Sequence, residues 1–168
     1  GTLLAVPSDG SRLPVPLGTT GVAATLLALT PDSRYVLFDD GDLHRAPIDG
    51  SGPVLNLDDA SGSLVLTPDG SRALYAKAGP LSRLQLWSVP TDGSSPPRRL
   101  DGPTVFLGGV LTLAAGAAPS FLVTPDGQHV LYLADQLVND VVEIFCAPVD
   151  GHAPSVRVSG ALTAGGDV

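Results

Sequence analysis

Apolar residues run along this chain in short stretches, and each stretch is closed by a cluster of Pro, Asp, Gly or Ser. One such pattern occurs three times without a gap: LTPDSRYVLF from Leu29, LTPDGSRALY from Leu66 and VTPDGQHVLY from Val123. It reads as an apolar strand, a Thr-Pro-Asp turn and a second strand over Tyr35 to Phe38, Arg72 to Tyr75 and His129 to Tyr132. Pro fixes φ at the first corner, and Asp accepts from backbone N–H groups two or three residues on. Gly70 and Gly127 supply φ > 0. Ser33 stands where the other copies have Gly, which predicts a slightly different or mildly strained turn.

A second pattern occurs four times at equal length: AVPSDGSRLPVPL from Ala5, RAPIDGSGPVLNL from Arg45, SVPTDGSSPPRRL from Ser88 and CAPVDGHAPSVRV from Cys146. Asp9-Gly10, Asp49-Gly50, Asp92-Gly93 and Asp150-Gly151 separate two extended runs, a strong hairpin signal, and the second run ends on Leu17, Leu57, Leu100 or Val158. Before each turn, Leu3, Leu43, Leu86 and Ile144 share one position, and Leu4, His44, Trp87 and Phe145 share the next. Adjacent positions face opposite sides of a strand. The uniformly aliphatic position is therefore read as core, and the bulky, mixed one as a face packed on a neighbouring sheet.

In order, the two patterns give strand, Thr-Pro-Asp turn, strand, loop, strand, Asp-Gly turn, strand: a four-stranded antiparallel meander. Successive Pro residues of the second pattern are 40 (Pro7 to Pro47), 43 (Pro47 to Pro90) and 58 (Pro90 to Pro148) residues apart. Four strands at a period near 40 predict an all-β chain of β-propeller blades. The longest step contains DGPTVFLGGVLTLAAGAAPSFLV, between Leu100 and Thr124, and this insertion over 101–119 is where a function could be grafted. TPDGSRALY followed by LQLWSVPTDGSSPPRRL resembles the TolB-like, WD-like propeller repeat, in which an S/T-P-D-G turn is paired with a later D-G turn. The Gly-His and Trp-Asp pairs of WD repeats are missing, so the resemblance is to the TolB-like branch. It implies protein–protein contact, a secreted or periplasmic setting, and kinship with the propellers that precede catalytic domains in prolyl-oligopeptidase-type and tricorn-type peptidases.

Composition agrees with this reading. Twenty Gly and sixteen Pro in 168 residues break the chain too often for long helices, and 43% hydrophobic against 15% charged residues argues for a packed core. Seventeen acidic and nine basic residues give a net charge of -8, which repels a phosphate backbone, so nucleic acid is not an expected partner. No apolar run approaches the roughly 20 residues that span a bilayer, so no membrane partner is expected either. The single Cys146 has no disulfide partner within the chain. With no Met, Gly1 reads as a processed end, a scar or the start of a segment.

The candidate chemical groups fall into repeat positions. His129 shares its position with Tyr35 and Arg72, His44 with Trp87 and Phe145, and His152 follows an Asp-Gly turn; none comes with the carboxylate and nucleophile that a catalytic His requires. Cys146 shares its position with Ala5, Arg45 and Ser88, and no cationic setting for a thiolate is visible. Asp32, Asp69 and Asp126, like Asp9, Asp49, Asp92 and Asp150, recur because turns need them. The denser FDDGDL, with Asp39, Asp40 and Asp42, is the better cation candidate, though it lacks the spacing and the distal Glu of an EF-hand loop and reads first as a solvated hairpin tip. No G-x-S-x-G, H-E-x-x-H or G-K-[ST] motif occurs. Catalytic, cofactor and metal residues are therefore expected to be none.

The expected organisation is a single partial propeller of about 3.5 blades. Residues 1–17 form the outer hairpin of a split blade, 24–57, 63–100 and 120–158 form three blades, and 159–168 start the next blade or a linker. Rings need four to eight blades, so the chain is a fragment, a squat ring, or one of two copies whose split blades complete each other, two times three and a half making seven. The closed homodimer is the favoured expectation, because contacts that fail to close would propagate into filaments. The expected function is a non-catalytic scaffold or binding module, with a protein or small-molecule ligand at the propeller face. The alternative is the propeller segment of a larger peptidase whose catalytic domain lies elsewhere.

Overall fold

A computed structural model describes residues 2–6, 11, 13–19, 24–59, 64–80, 83–104, 108–110 and 121–160. The described chain is all-β and is built as propeller blades. Strands β3 (Thr25–Leu29), β4 (Tyr35–Asp39), β5 (Leu43–Pro47) and β6 (Leu55–Asp58) form one antiparallel meander. Strands β7 (Leu64–Leu66), β8 (Arg72–Ala78), β9 (Leu84–Pro90) and β10 (Arg98–Arg99) form the second; β11 (Phe121–Val123), β12 (His129–Ala134), β13 (Glu143–Pro148) and β14 (Val156–Arg157) form the third. Ahead of them, β1 (Thr2–Ala5) pairs with β2 (Val15–Thr19) as a two-stranded sheet. Asp9-Gly10, the 161–168 segment and most of the 101–119 insertion lie outside the described residues.

The sheets stack face to face because each strand is apolar on both sides. Val36, Phe38 and Ala46 point back and pack against Leu3, Ala5 and Leu17 of the first sheet. Leu37, Leu43 and Leu57 point forward and pack with Ala73, Tyr75 and Val89 of the second meander. Leu74, Leu86 and Leu100 then meet Val130, Tyr132, Phe145 and Ala147 of the third. The side-chain period of two thus assigns alternate residues of one strand to two different cores. The aliphatic position expected as core is buried in the two inner meanders, at Leu43 and Leu86. The mixed position faces the preceding sheet.

In the three meanders the strands on either side of Asp-Gly pair as hairpins, through connections longer than the turn itself. Seven residues connect the third and fourth strands of every meander (48–54, 91–97 and 149–155). The N–H of Gly50, Gly93 and Gly151 donates to the carbonyl of Pro47, Pro90 and Pro148, each at 3.1 Å, closing a four-residue turn that ends on Gly at φ 66–70°. Asp49, Asp92 and Asp150 then accept from the N–H two residues on, at 2.9, 2.9 and 3.1 Å. Asp-Gly therefore starts a longer excursion, and the fourth strand begins only after it.

Candidate interaction surfaces

The Thr-Pro-Asp turns are superimposable in their bonding. In the second, Thr67 Oγ1 donates to Asp69 Oδ1 (2.6 Å) and accepts from Arg72 N (3.0 Å), while Asp69 also accepts from Ser71 N (3.0 Å). Thr30 with Asp32 (2.6 Å) and Thr124 with Asp126 (2.5 Å) repeat it. The Thr hydroxyl, and after it the backbone N–H two residues on, hold each of these carboxyls below the ordinary 3.8. Ser33 takes φ 56°, the left-handed conformation expected of the Gly position. The second and third turns also rest on the one before: a Cβ on Gly70 would lie 2.5 Å from Pro31 Cδ, and one on Gly127 3.3 Å from Pro68 Cδ.

The three histidines sit in separate settings. His44 Nε2 lies 2.8 Å from Asp40 Oδ1 and its ring sits 5.1 Å from Phe38. His152 Nδ1 lies 2.5 Å from Asp150 in the exposed loop, and His129 is exposed at the start of β12. In FDDGDL, Asp39 accepts from Gly41 N (2.7 Å), Asp40 meets His44 and Asp42 accepts from Asn56 (3.1 Å), so its carboxylates diverge to separate local partners. Among the described residues no three His, Cys, Asp or Glu side chains gather as a metal site. Cys146 is half-buried on β13.

Polar contacts across the blade boundaries were not apparent in the sequence patterns. Tyr75 Oη, from the second meander, donates to Asp58 at the end of the first; Lys77 Nζ reaches the same carboxylate at 2.8 and 3.1 Å and lies 4.3 Å from the Trp87 ring centre. Burial on its own would raise the Asp58 carboxyl, but the hydrogen bonds from Lys77 and Tyr75 outweigh it and hold it below the ordinary 3.8. Burial and the Asp58 bond push the Tyr75 phenol far up. Asp101 takes Asp58's place in the repeat but bonds within its own meander, and Tyr132 Oη donates instead to Gln136 Oε1 (3.0 Å). Asp101 accepts from Leu86 N (2.9 Å) and from Arg99 at 2.5 and 3.0 Å. Burial pushes the neighbouring Tyr132 up to about 12.

A second set of contacts joins each meander to the loop of the next. Arg45, stacked 3.4 Å over Tyr35, donates to the Thr91 carbonyl (2.9 Å), and Arg72 donates to Ser88 Oγ (2.8 Å) and the Val149 carbonyl (3.0 Å). Thr91 and Val149 occupy equivalent places, each directly after the loop Pro. Beside Tyr35 and Arg45 the loop leaves a cleft of about 310 Å³ against Pro53 and Leu55.

At the two ends of the stack the same positions are uncovered. Val6 is 61% exposed, whereas Ala46, Val89 and Ala147 in its repeat position are each 1% exposed. Leu4 is 50% exposed against 1% for Phe145. At the far end Val158 is 51% exposed against 6% for Leu57 and 3% for Leu100, and Leu122 is 71% exposed. Among the described residues, the first sheet and the third meander thus each carry exposed apolar side chains on the face away from their neighbour.

No family model and no curated protein sequence matches the chain. Among solved structures it is similar to a putative TolB from Agrobacterium tumefaciens, at 21% identity over 89% of this chain and 53% of that one, TM-score 0.49. It is also similar to TolB from Acinetobacter baumannii, at 11% identity over 94% and 48%, TM-score 0.44. The chain spans about half the length of these structures.

Proposed function

We propose that this protein is a non-catalytic β-propeller module that works by protein contact, and that two copies associate so that their split sheets contribute to one closed ring. The observation that carries this is the two-stranded first sheet. Strand β1 occupies the place of β5, β9 and β13, which pair on both sides, yet among the described residues β1 pairs only with β2. That leaves a row of backbone donors and acceptors along Thr2–Ala5 as a template for another strand. The non-catalytic part rests on how the candidate groups are employed: turn aspartates bond their own turns, and the three histidines sit in separate settings.

Light scattering on a sizing column over a range of concentrations tests it. The expected result is a stable species of twice the 17.0 kDa chain mass. A monomer at every concentration overturns the association, and metal-independent turnover of a peptide or ester panel overturns the non-catalytic reading.

A further inference from the structure

Resting on the reading that copies associate, we infer that the open face of β11–β14 receives the β1–β2 sheet of a second copy, head to tail, in the register that the internal blades already use. The internal boundaries define what such a contact needs. The forward face of the second meander offers Leu74, Leu86 and Leu100, all at most 3% exposed beneath the third meander. The third meander repeats that face through Leu131, Ile144 and Val158, in identical strand register. Phe145 pairs with Arg157 as Trp87 pairs with Arg99, and Val158 N donates to the Ile144 carbonyl (2.9 Å) as Leu100 N does to that of Leu86 (2.8 Å). Leu131 and Ile144 are only half-buried, and Val158 and Leu122 are exposed.

The complementary half is on the same chain. A sheet that stacks on a forward face presents the residues at the Phe145 and Ala147 positions, and in the first sheet these are Leu4 and Val6, on the side away from Leu3, Ala5 and Leu17. One chain thus carries both halves of an interface that it uses three times internally, each half exposed among the described residues. Because head and tail differ, the contact is heterologous, and two copies close only if both ends are used.

A mixing experiment with full chains tests this. Leu4→Arg blocks the head, and the double change Leu122→Arg with Val158→Arg blocks the tail; all three positions are exposed, so each variant is expected to keep the wild-type circular dichroism spectrum. Each variant alone is expected to run as a monomer, its self-association weakened at least about tenfold, while an equimolar mixture forms a one-to-one dimer through the intact head of one and the intact tail of the other. If Leu4→Arg alone still dimerises, tails meet tails or edges pair, and the head-to-tail register is overturned while association stands. The same holds if both variants dimerise alone as the wild type does. Wild-type protein that stays monomeric throughout overturns the association reading together with this one.

Discussion

The second and third meanders are built alike and end differently. Leu86 and Ile144 hold the same place on the third strand, make the same backbone bond to the residue closing the fourth, and differ in what lies beyond: Leu86 is 0% exposed and Ile144 is half-buried. Strand pairing is therefore a property of each meander's own sequence, whereas burial comes from the neighbouring blade, as in other repeat architectures stabilised by interfaces between adjacent units. The largest expected contrast follows. Leu86→Ala opens a cavity inside a core and should destabilise by about 2–5 kcal/mol in urea denaturation, while Ile144→Ala, measured on monomer, should lose about 1 kcal/mol or less, in keeping with partial burial. Equal losses would mean that the terminal face is as well covered as the internal one.

Next in size is a contrast between two glycines. Gly70 has φ +71° and its missing Cβ would meet Pro31 of the preceding blade at 2.5 Å; Gly41 has φ +112° with nothing within 4 Å. Both substitutions to Ala strain the backbone by about 1–2 kcal/mol, but only Gly70→Ala must also push two blades apart, which raises its loss to about 2–3 kcal/mol. Thermal melts of the two variants decide it: equal shifts would show that the turn-on-turn contact between blades contributes nothing.

The meander order and the core positions were legible because they depend on residue type and a period of two. Asp and Gly announce turns, and Leu43 or Leu86 announce a core, without knowledge of distant parts. Loop length was less legible. Asp49-Gly50 has the composition of a tight hairpin, yet the Pro47 carbonyl closes the turn one step earlier and leaves Gly50 starting an excursion to Leu55. The Thr hydroxyls of the Thr-Pro-Asp turns were missed because their second partner is five residues away. The blade-to-blade polar contacts were invisible for a stronger reason: Asp58 and Tyr75 belong to different meanders, and only stacking makes them neighbours. One signal was available. Where Asp58 precedes Tyr75 in the repeat, the first boundary has Gly18 and Phe38, so both polar partners are missing together.

That pairing supplies the third contrast, between a boundary with a Tyr–Asp link and one without. Tyr75→Phe should destabilise by about 1 kcal/mol, the ordinary net value of a hydrogen bond, and leave Asp58 with Lys77. The Asp58 carboxyl is held below 3.8 in the folded protein, so its contribution is fully present above the unfolded-state value near 3.8 and is lost as pH falls through the lower folded value. Asp58→Asn should accordingly be less stable than wild type at neutral pH and converge with it on acidification below about pH 4. A gap that persists unchanged into strong acid would remove the charge from the account and leave only packing.

The smallest expected effect lies within the repeated turn itself. Ser33 and Gly70 share φ near 60–70° and the same bond to the Thr carbonyl (2.8 Å in each), so the first turn keeps the geometry of the second with a residue that is strained there. Ser33→Gly removes a left-handed penalty of about 1–2 kcal/mol but frees the unfolded chain, and the net gain should be a few tenths to about 1 kcal/mol. Gly70→Ser is the reciprocal change and should be worse than neutral by more than this gain, because Gly70 alone of the two has the Pro of a preceding blade 2.5 Å from the position its Cβ would take. Urea midpoints of the two variants therefore separate backbone strain, common to both turns, from the blade contact that only the second turn makes.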